Sequence, residues 1–131
     1  MNELKFLSLK CCKNVKISND KLKELNLSLF KIRNINLLNK INLKELNKLD
    51  LGANNISNIN ILEKLNLKEL KELYLNWNNI SDIKVLGKVN FKELKVLNLY
   101  NNKISDIILF YKLSLEKMTN FKGCWLFEDE I

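Results

Sequence analysis

The stretch that decides the fold is LKELYLNWNNISDIKVLGKVNFKE, residues 70–93. The block before it, residues 46–69, and the block after it, residues 94–117, repeat its order of apolar and asparagine positions at a spacing of 24 residues. A fixed period of roughly 20–50 residues is the signature of a repeat architecture. The chain is therefore predicted to be a stack of similar units.

Aligned on their first leucine, the blocks share the pattern LxxLxLxxNxIxxIxxLxxVxF. Residues 22–45 keep the spacing but carry Phe30 at the asparagine position, and residues 4–21 form a shorter unit with Cys12 there. Residues 118–131 follow the pattern poorly and are predicted to be a degenerate repeat or a cap. We predict one domain over residues 1–131, since solenoid units of this size are stable only together.

Each block begins with a short strand. The alternation around Tyr74 has period two, which predicts a strand with one buried face, and the regular return connections predict parallel pairing. About five such strands should form the sheet, with four expected at residues 25–27, 49–51, 73–75 and 97–99.

Each strand should be followed by a turn and a return segment. We expect the asparagine amides to bond the backbone of the turn and of the next coil. Three serines are predicted N-caps of the return segments: Ser57, Ser81 and Ser105. Apolar residues every third position, at Ile83, Leu86 and Val89, predict a 3₁₀ or short α-helical segment with one buried side.

These motifs resemble the leucine-rich repeat family, over about residues 4–117. The long form with its ISDI sequence is most similar to the internalin-like and phosphatase-regulatory-subunit-like classes. The resemblance implies an α/β fold: a right-handed, curved solenoid with a parallel sheet on its concave face and short 3₁₀ or α turns on its convex face. It also implies a non-enzymatic scaffold that binds a protein.

Residues suited to catalysis are scarce. The chain has no histidine and only three glycines, so it lacks a phosphate-cradling loop. Cys11 and Cys12 are adjacent rather than spaced like a zinc pair, and Cys12 is predicted to be a small buried residue in place of the turn asparagine. We therefore expect no enzymatic activity, no metal, no cofactor and no small-molecule substrate.

The formal charge of +7 raises the possibility of binding to nucleic acid or to a membrane surface. However, many lysines belong to Lys-Glu pairs that recur with the repeat, and Arg33 is the only arginine, which favours a solvated surface over a phosphate-binding stripe. Non-specific binding of an anionic polymer is kept as the alternative function. A further alternative is a substrate-recognition fragment of a larger protein.

The chain carries no long apolar run, and its first residues lack the order of a signal peptide. With an odd count of three cysteines, this predicts a reduced, cytoplasmic protein without a membrane partner. We expect a monomer.

The outward positions of the strands define the predicted concave face. Tyr74, Trp77 and Tyr100 lie on neighbouring strands about 4.8 Å apart and are expected to form one aromatic patch. In the alternative, Trp77 packs over the turn on its neighbour's backbone. The same spacing would extend the columns to Asn120, Lys122, Cys124 and Trp125, although Trp125 and Phe127 are expected to cover the open end. The predicted protein-binding residues are Tyr74, Trp77, Asn98, Tyr100, Asp50, Asn76 and Glu72.

Overall fold

The structure is a computed structural model that describes residues 22–109, 112 and 123–125. Five three-residue strands form one parallel sheet in chain order. They are β1 (Glu24–Asn26), β2 (Lys48–Asp50), β3 (Glu72–Tyr74), β4 (Val96–Asn98) and β5 (Gly123–Trp125). The predicted parallel sheet is confirmed, and each of the four predicted strands begins one residue earlier than expected.

The register of the sheet follows the repeat except at its last strand. Residues 24 apart are paired from β1 to β4, for example Leu49 with Leu73. Between β4 and β5 the offset is 27 residues, because Gly123 pairs with Val96. The prediction that Asn120 continues this column was therefore wrong, and Trp125 lies opposite Asn98 rather than beside Asn101.

The connection that precedes β5 contains α-helical residues 107–109 and 112. An α-helix rises about 1.5 Å per residue, against about 2.0 Å for a 3₁₀ helix, so an α-helical return uses more residues for the same span. The larger offset of β5 accompanies this change of helix type. A sequence alignment at constant spacing could not include it.

The core is a column of aliphatic side chains between the sheet and the return segments. The central strand leucines Leu25, Leu49, Leu73 and Leu97 are all buried, and the isoleucines and leucines of the turns pack behind them. Full burial of one such side chain contributes roughly 1.5–3 kcal/mol. No single repeat could bury these residues alone, so the repeats stabilise one another.

Three 3₁₀ helices form the return segments: η1 (Asn36–Lys40), η2 (Asn60–Lys64) and η3 (Lys84–Gly87). This confirms the helical prediction, but the predicted serine caps are wrong. The side chains of Asn58 and Asp82 instead accept hydrogen bonds from the backbone N–H groups of Asn60 and Lys84, at 2.9 and 3.0 Å.

In the fourth repeat, likewise, the Asp106 carboxylate rather than Ser105 accepts from the Leu109 N–H, at 2.9 Å. Ser57 and Ser81 lie three residues before the first helical residue, and it is the next residue in each repeat, Asn58 or Asp82, that bonds the N–H at the helix start.

The turn asparagines form hydrogen bonds between successive repeats, as the sequence predicts. The Asn78 Nδ2 group donates to the carbonyls of Leu51 and Leu75, both at 3.0 Å, and its Oδ1 accepts from the Ile56 N–H at 3.0 Å. Asn54 and Asn102 bond equivalent atoms. The partner coil is the preceding one, whereas the following coil was expected.

The first two sequence units differ in what the structure describes. Phe30, at the asparagine position of residues 22–45, is partly buried against the core, and its N–H donates to Asn54 Oδ1 at 3.0 Å. The unit predicted at residues 4–21, with Cys11 and Cys12, lies outside the described residues, as does Phe127. The division into repeats there stays a prediction.

Candidate functional site on the concave face

The solvent side of the sheet carries the concave face, which we define by the outward residues of β1–β4 and of the turn after each strand. In β3, Glu72 and Tyr74 are half-buried on either side of the buried Leu73, and β2 and β4 show the same alternation. Each strand therefore presents its first and third side chains to solvent. The turn that follows adds two more positions, occupied in this repeat by Asn76 and Trp77.

Trp77 and Tyr100 form an aromatic pair across neighbouring repeats. Their ring centroids are 5.9 Å apart and their planes are at 88°, the edge-to-face arrangement that the ring quadrupoles favour. Trp77 keeps 54% of its surface exposed. Its backbone N–H donates to the Tyr100 carbonyl at 2.8 Å, which fixes the two residues side by side. The exposed indole is thus held in position without being buried.

The backbone at Trp77 is left-handed, with φ of +58°. The equivalent residues Leu29, Ala53 and Asn101 are left-handed as well, with φ of +66°, +51° and +55°. This conformation costs an L-residue roughly 1–2 kcal/mol, and asparagine tolerates it best among non-glycine residues. Asn101 therefore suits its position, whereas Trp77 is a bulky aromatic residue at a position where the left-handed turn disfavours one.

Tyr74 has a separate set of contacts. Its hydroxyl donates to Glu72 Oε1 at 3.2 Å, and the ammonium group of Lys48 lies 5.5 Å from the ring centroid. Partial burial first, and then the negative charge and hydrogen bond of Glu72 and the charge of Asp50, raise the pKa of the Tyr74 phenol above its ordinary value. Tyr74 is therefore a neutral hydrogen-bonding group with a cation on its ring.

In the other repeats, the residue equivalent to Tyr74 supports the turn that follows its strand. Asp50 Oδ1 accepts from the Gly52 N–H at 2.9 Å, and Asn98 Oδ1 accepts from the Tyr100 N–H at 3.0 Å. Asn26 does the same for Ser28 at 3.0 Å. These are Asx turns, in which a short side chain bonds its own backbone two residues later. A tyrosine cannot make this bond. In β3, a half-buried phenol therefore stands where the neighbouring strands have a residue that supports the turn.

Asn76 lies beside the buried Gly52 of the preceding repeat. A Cβ atom added at Gly52 would be 3.1 Å from both Asn76 Oδ1 and Asp50 Oδ1, closer than a relaxed contact. The absence of a side chain at Gly52 thus makes room for the Asn76 amide. The sequence assigned no role to Gly52, since a lone glycine in a repeat gives no signal of what fills its space.

The predicted site residues divide into two groups. Trp77 and Tyr100 are in contact, while Tyr74 is paired with Glu72 and Lys48, and no ring contact joins the two groups in the described part of the chain. The Asp50 and Asn98 side chains are engaged with backbone. Lys48 was missed because a lysine next to a tyrosine column is not distinctive in sequence. Leu29, 77% exposed at the Trp77 position, was also missed as a candidate.

Charged residues concentrate where the strands begin. A cavity of about 250 Å³ lies there, lined by Glu24, Asn47, Lys48, Lys71, Glu72, Lys95 and Val96. A second, of about 470 Å³, is lined by Lys23, Lys44, Glu45, Asn66, Lys68 and Glu69. The sequence-adjacent Lys-Glu pairs do not form ion pairs: among the described residues, the one salt bridge joins Lys23 to Glu45 of the next repeat, at 3.5 Å.

Two further observations concern cofactors and membranes. Within residues 22–109, 112 and 123–125, no three histidine, cysteine or acidic side chains are grouped so that they could hold a metal ion. No helix in this part of the chain has both the length and the apolar character needed to cross a bilayer. The cytoplasmic location and the monomeric state stay predictions.

Comparison with known proteins agrees with the repeat. The family model described as leucine-rich repeats (two copies) matches residues 68–114. A search of curated proteins gave no significant match. Among solved structures, the chain is similar to internalin C2 from Listeria monocytogenes, with 30% identity over 79% of this chain and a TM-score of 0.63.

Internalin F from the same organism matches over 78% of this chain at 27% identity, with a TM-score of 0.48. The chain spans only 41% of the length of the internalin C2 chain and 34% of that of internalin F. The recurrent strands, the asparagine bonds between coils, the family match and the likeness to internalin C2 lead to one conclusion. The chain has the leucine-rich repeat fold, and its residues 68–114 match the model of that family.

Proposed function

We propose that this chain is a non-enzymatic protein-binding module that recognises a protein partner with its concave face. Its match to the leucine-rich repeat family model and its likeness to internalin C2 support a protein-interaction repeat, a scaffold that is typically non-catalytic. The contact surface proposed for the partner centres on Trp77 and Tyr100, with Tyr74 and Glu72 beside them. Asn76 lies next to Trp77, and Asp50 and Asn98 support the turns on either side.

The observation that carries this proposal is the conformation of Trp77. A tryptophan is held in a left-handed turn, with 54% of its surface in water, at a position where Asn101 serves in the next repeat. The left-handed turn recurs in the neighbouring repeats, so what distinguishes this one is an exposed tryptophan at a position that asparagine tolerates better. Exposed tryptophan and tyrosine are also the residues most enriched among energetically dominant contacts of protein interfaces.

The repeat itself provides the test, because each aromatic residue has a polar equivalent in a neighbouring repeat. Tyr74→Asn copies Asn98, Trp77→Asn copies Asn101, and Tyr100→Asn copies Asn76. The triple variant should keep a free energy of unfolding within about 1 kcal/mol of wild type, since relief of strain at Trp77 offsets the lost ring contact. It should lose the partners that wild type captures from a cell lysate, identified by mass spectrometry.

The matched control is Ile108→Asn, which removes an apolar side chain that is 83% exposed in the helical residues 107–109. This variant should retain the wild-type partners, which shows that loss of binding does not follow from lower surface hydrophobicity alone. An unchanged list of partners from the folded triple variant would contradict the proposal. A triple variant several kcal/mol less stable than wild type would assign the aromatic residues to the fold instead.

A further inference from the structure

The two ends of the concave face differ in chemistry. Where β3 and β4 begin, the cavity of about 250 Å³ is lined by three lysines, two glutamates, one asparagine and one valine. Where these strands end, the outward residues are uncharged: Trp77 and Asn101 are exposed, and Asn76 and Tyr100 are half-buried. A partner that covers both ends must therefore offer different groups to each.

The lysines of this cavity are available for an external anion. Lys71 and Lys95 are exposed and occupy the same position in successive repeats, on chains about 4.8 Å apart. Neither takes part in a salt bridge with a described residue, and Lys48 faces the Tyr74 ring. The nearby Glu72 is already the acceptor of the Tyr74 hydroxyl. Two neighbouring cations without a carboxylate partner favour a ligand that brings one.

The acidic residues of the same face limit what that ligand can be. Glu24 and Glu72 line the cavity, and Asp50 lies opposite Tyr74 in the register of β2 and β3. A polyphosphate chain crossing the sheet would bring regularly spaced negative charges against them. A single carboxylate between Lys71 and Lys95 avoids this repulsion, so a protein segment fits the charge pattern better than a nucleic acid does.

We propose that the partner binds as an extended segment that places an aspartate or glutamate between Lys71 and Lys95 and an aromatic or large aliphatic side chain against Trp77 and Tyr100. This proposal rests on the proposed function of the concave face and specifies the chemistry of its partner. From Lys71 to Trp77 the chain spans at most about 20 Å, at about 3.3 Å per residue. An extended segment covers that distance with at most about six residues, which limits the spacing between its two anchors.

Selection from a phage-displayed library of random 12-residue peptides on the immobilised chain tests this pattern. We expect enriched peptides to carry an acidic residue about four to six positions from a tryptophan, phenylalanine or leucine. The Lys71→Glu/Lys95→Glu variant should bind synthetic copies of these peptides at least about tenfold more weakly, and raised salt should weaken wild-type binding. Lys64→Glu/Lys84→Glu makes the same change of charge on exposed residues of η2 and η3 and should leave peptide affinity unchanged.

The outcomes separate this inference from the proposed function. Enriched peptides that need Trp77 and Tyr100 but carry no acidic residue would overturn the acidic anchor and leave the concave-face function standing. Peptides that bind the Tyr74→Asn/Trp77→Asn/Tyr100→Asn variant as well as wild type would overturn both, as would failure to enrich any peptide. Binding of a single-stranded oligonucleotide that is lost in Lys71→Glu/Lys95→Glu would assign these lysines to nucleic acid and overturn the inference.

Discussion

Residues 46–69 and residues 70–93 are neighbouring repeats that the structure describes in full, and they are alike inside and different outside. Leu49 and Leu73 are equally buried, and Asn54 and Asn78 bond the same kinds of backbone group. On the concave face, Asp50 and Ala53 are replaced by Tyr74 and Trp77. The two repeats thus keep the residues that contact neighbouring coils and differ in residues that face solvent or a partner.

The largest effect should come from breaking what the two repeats share. Asn78→Ala leaves the N–H of Ile56 without its side-chain partner. It also removes one bond from each of the carbonyls of Leu51 and Leu75, which keep their bonds from Asn54 and Asn102. Because an unsatisfied buried group costs about 1–3 kcal/mol and each lost hydrogen bond about 1 kcal/mol, we expect a loss of about 3 kcal/mol in the free energy of unfolding, measured by urea denaturation.

Asn54→Ala should cost a similar amount, since its amide makes the equivalent bonds to Leu27, Leu51 and Ile32 and accepts one more from the Phe30 N–H. The neighbouring substitution Asn79→Ala serves as the control and should change stability by less than about 0.5 kcal/mol. A large difference between the Asn54 and Asn78 variants would show that the two interiors are not equivalent.

A smaller effect should appear where the two repeats touch. Gly52→Ala would place a Cβ 3.1 Å from Asn76 Oδ1, so the Asn76 amide must move. In an Asn76→Ala background only the 3.1 Å contact with Asp50 Oδ1 remains, so the same substitution should cost about 0.5–1 kcal/mol less than it does in wild type. A double-mutant cycle should therefore give a coupling of about 0.5–1 kcal/mol between the two positions. Additive effects would mean that the Asn76 side chain does not depend on the space above Gly52.

The smallest effect concerns the phenol that distinguishes residues 70–93. The pKa of Tyr74 is raised above its ordinary value of 10.0 by partial burial, by Glu72 and, more weakly, by Asp50. The folded state therefore keeps the phenolic proton to higher pH than the unfolded state does. This contribution to stability is complete below pH 10 and is lost as the pH rises through the folded pKa.

Absorbance titration at 295 nm, comparing wild type with Tyr74→Phe, should isolate this phenol from the other tyrosines. Glu72→Gln, which removes a charge but keeps an acceptor, should shift the Tyr74 pKa back toward its ordinary value. No shift on this substitution would show that the carboxylate charge does not act on the phenol.

Much of the candidate site could be read from the repeat columns, because a strand side chain must point either into the core or out of it. This rule placed Tyr74, Trp77 and Tyr100 on the exposed face. It could not give their contacts: Trp77 pairs with Tyr100, whereas Tyr74 turns to Glu72 and Lys48. Side-chain direction depends on turn conformation and neighbouring charges, and the left-handed backbone of Trp77 leaves no trace in its own residue type.

The sequence by itself determined the repeat, the parallel order of the strands, the buried leucines and the bonding role of Asn54, Asn78 and Asn102. Each of these follows from the 24-residue period, at which the same residue types recur. Only the tertiary structure decided which residues cap the helices, that β5 is offset by 27 residues from β4, and that Lys71 and Lys95 share a cavity without a salt-bridge partner among the described residues. Those features depend on distances between chain segments. Periodicity fixes which residues are equivalent, and packing alone fixes how closely they meet.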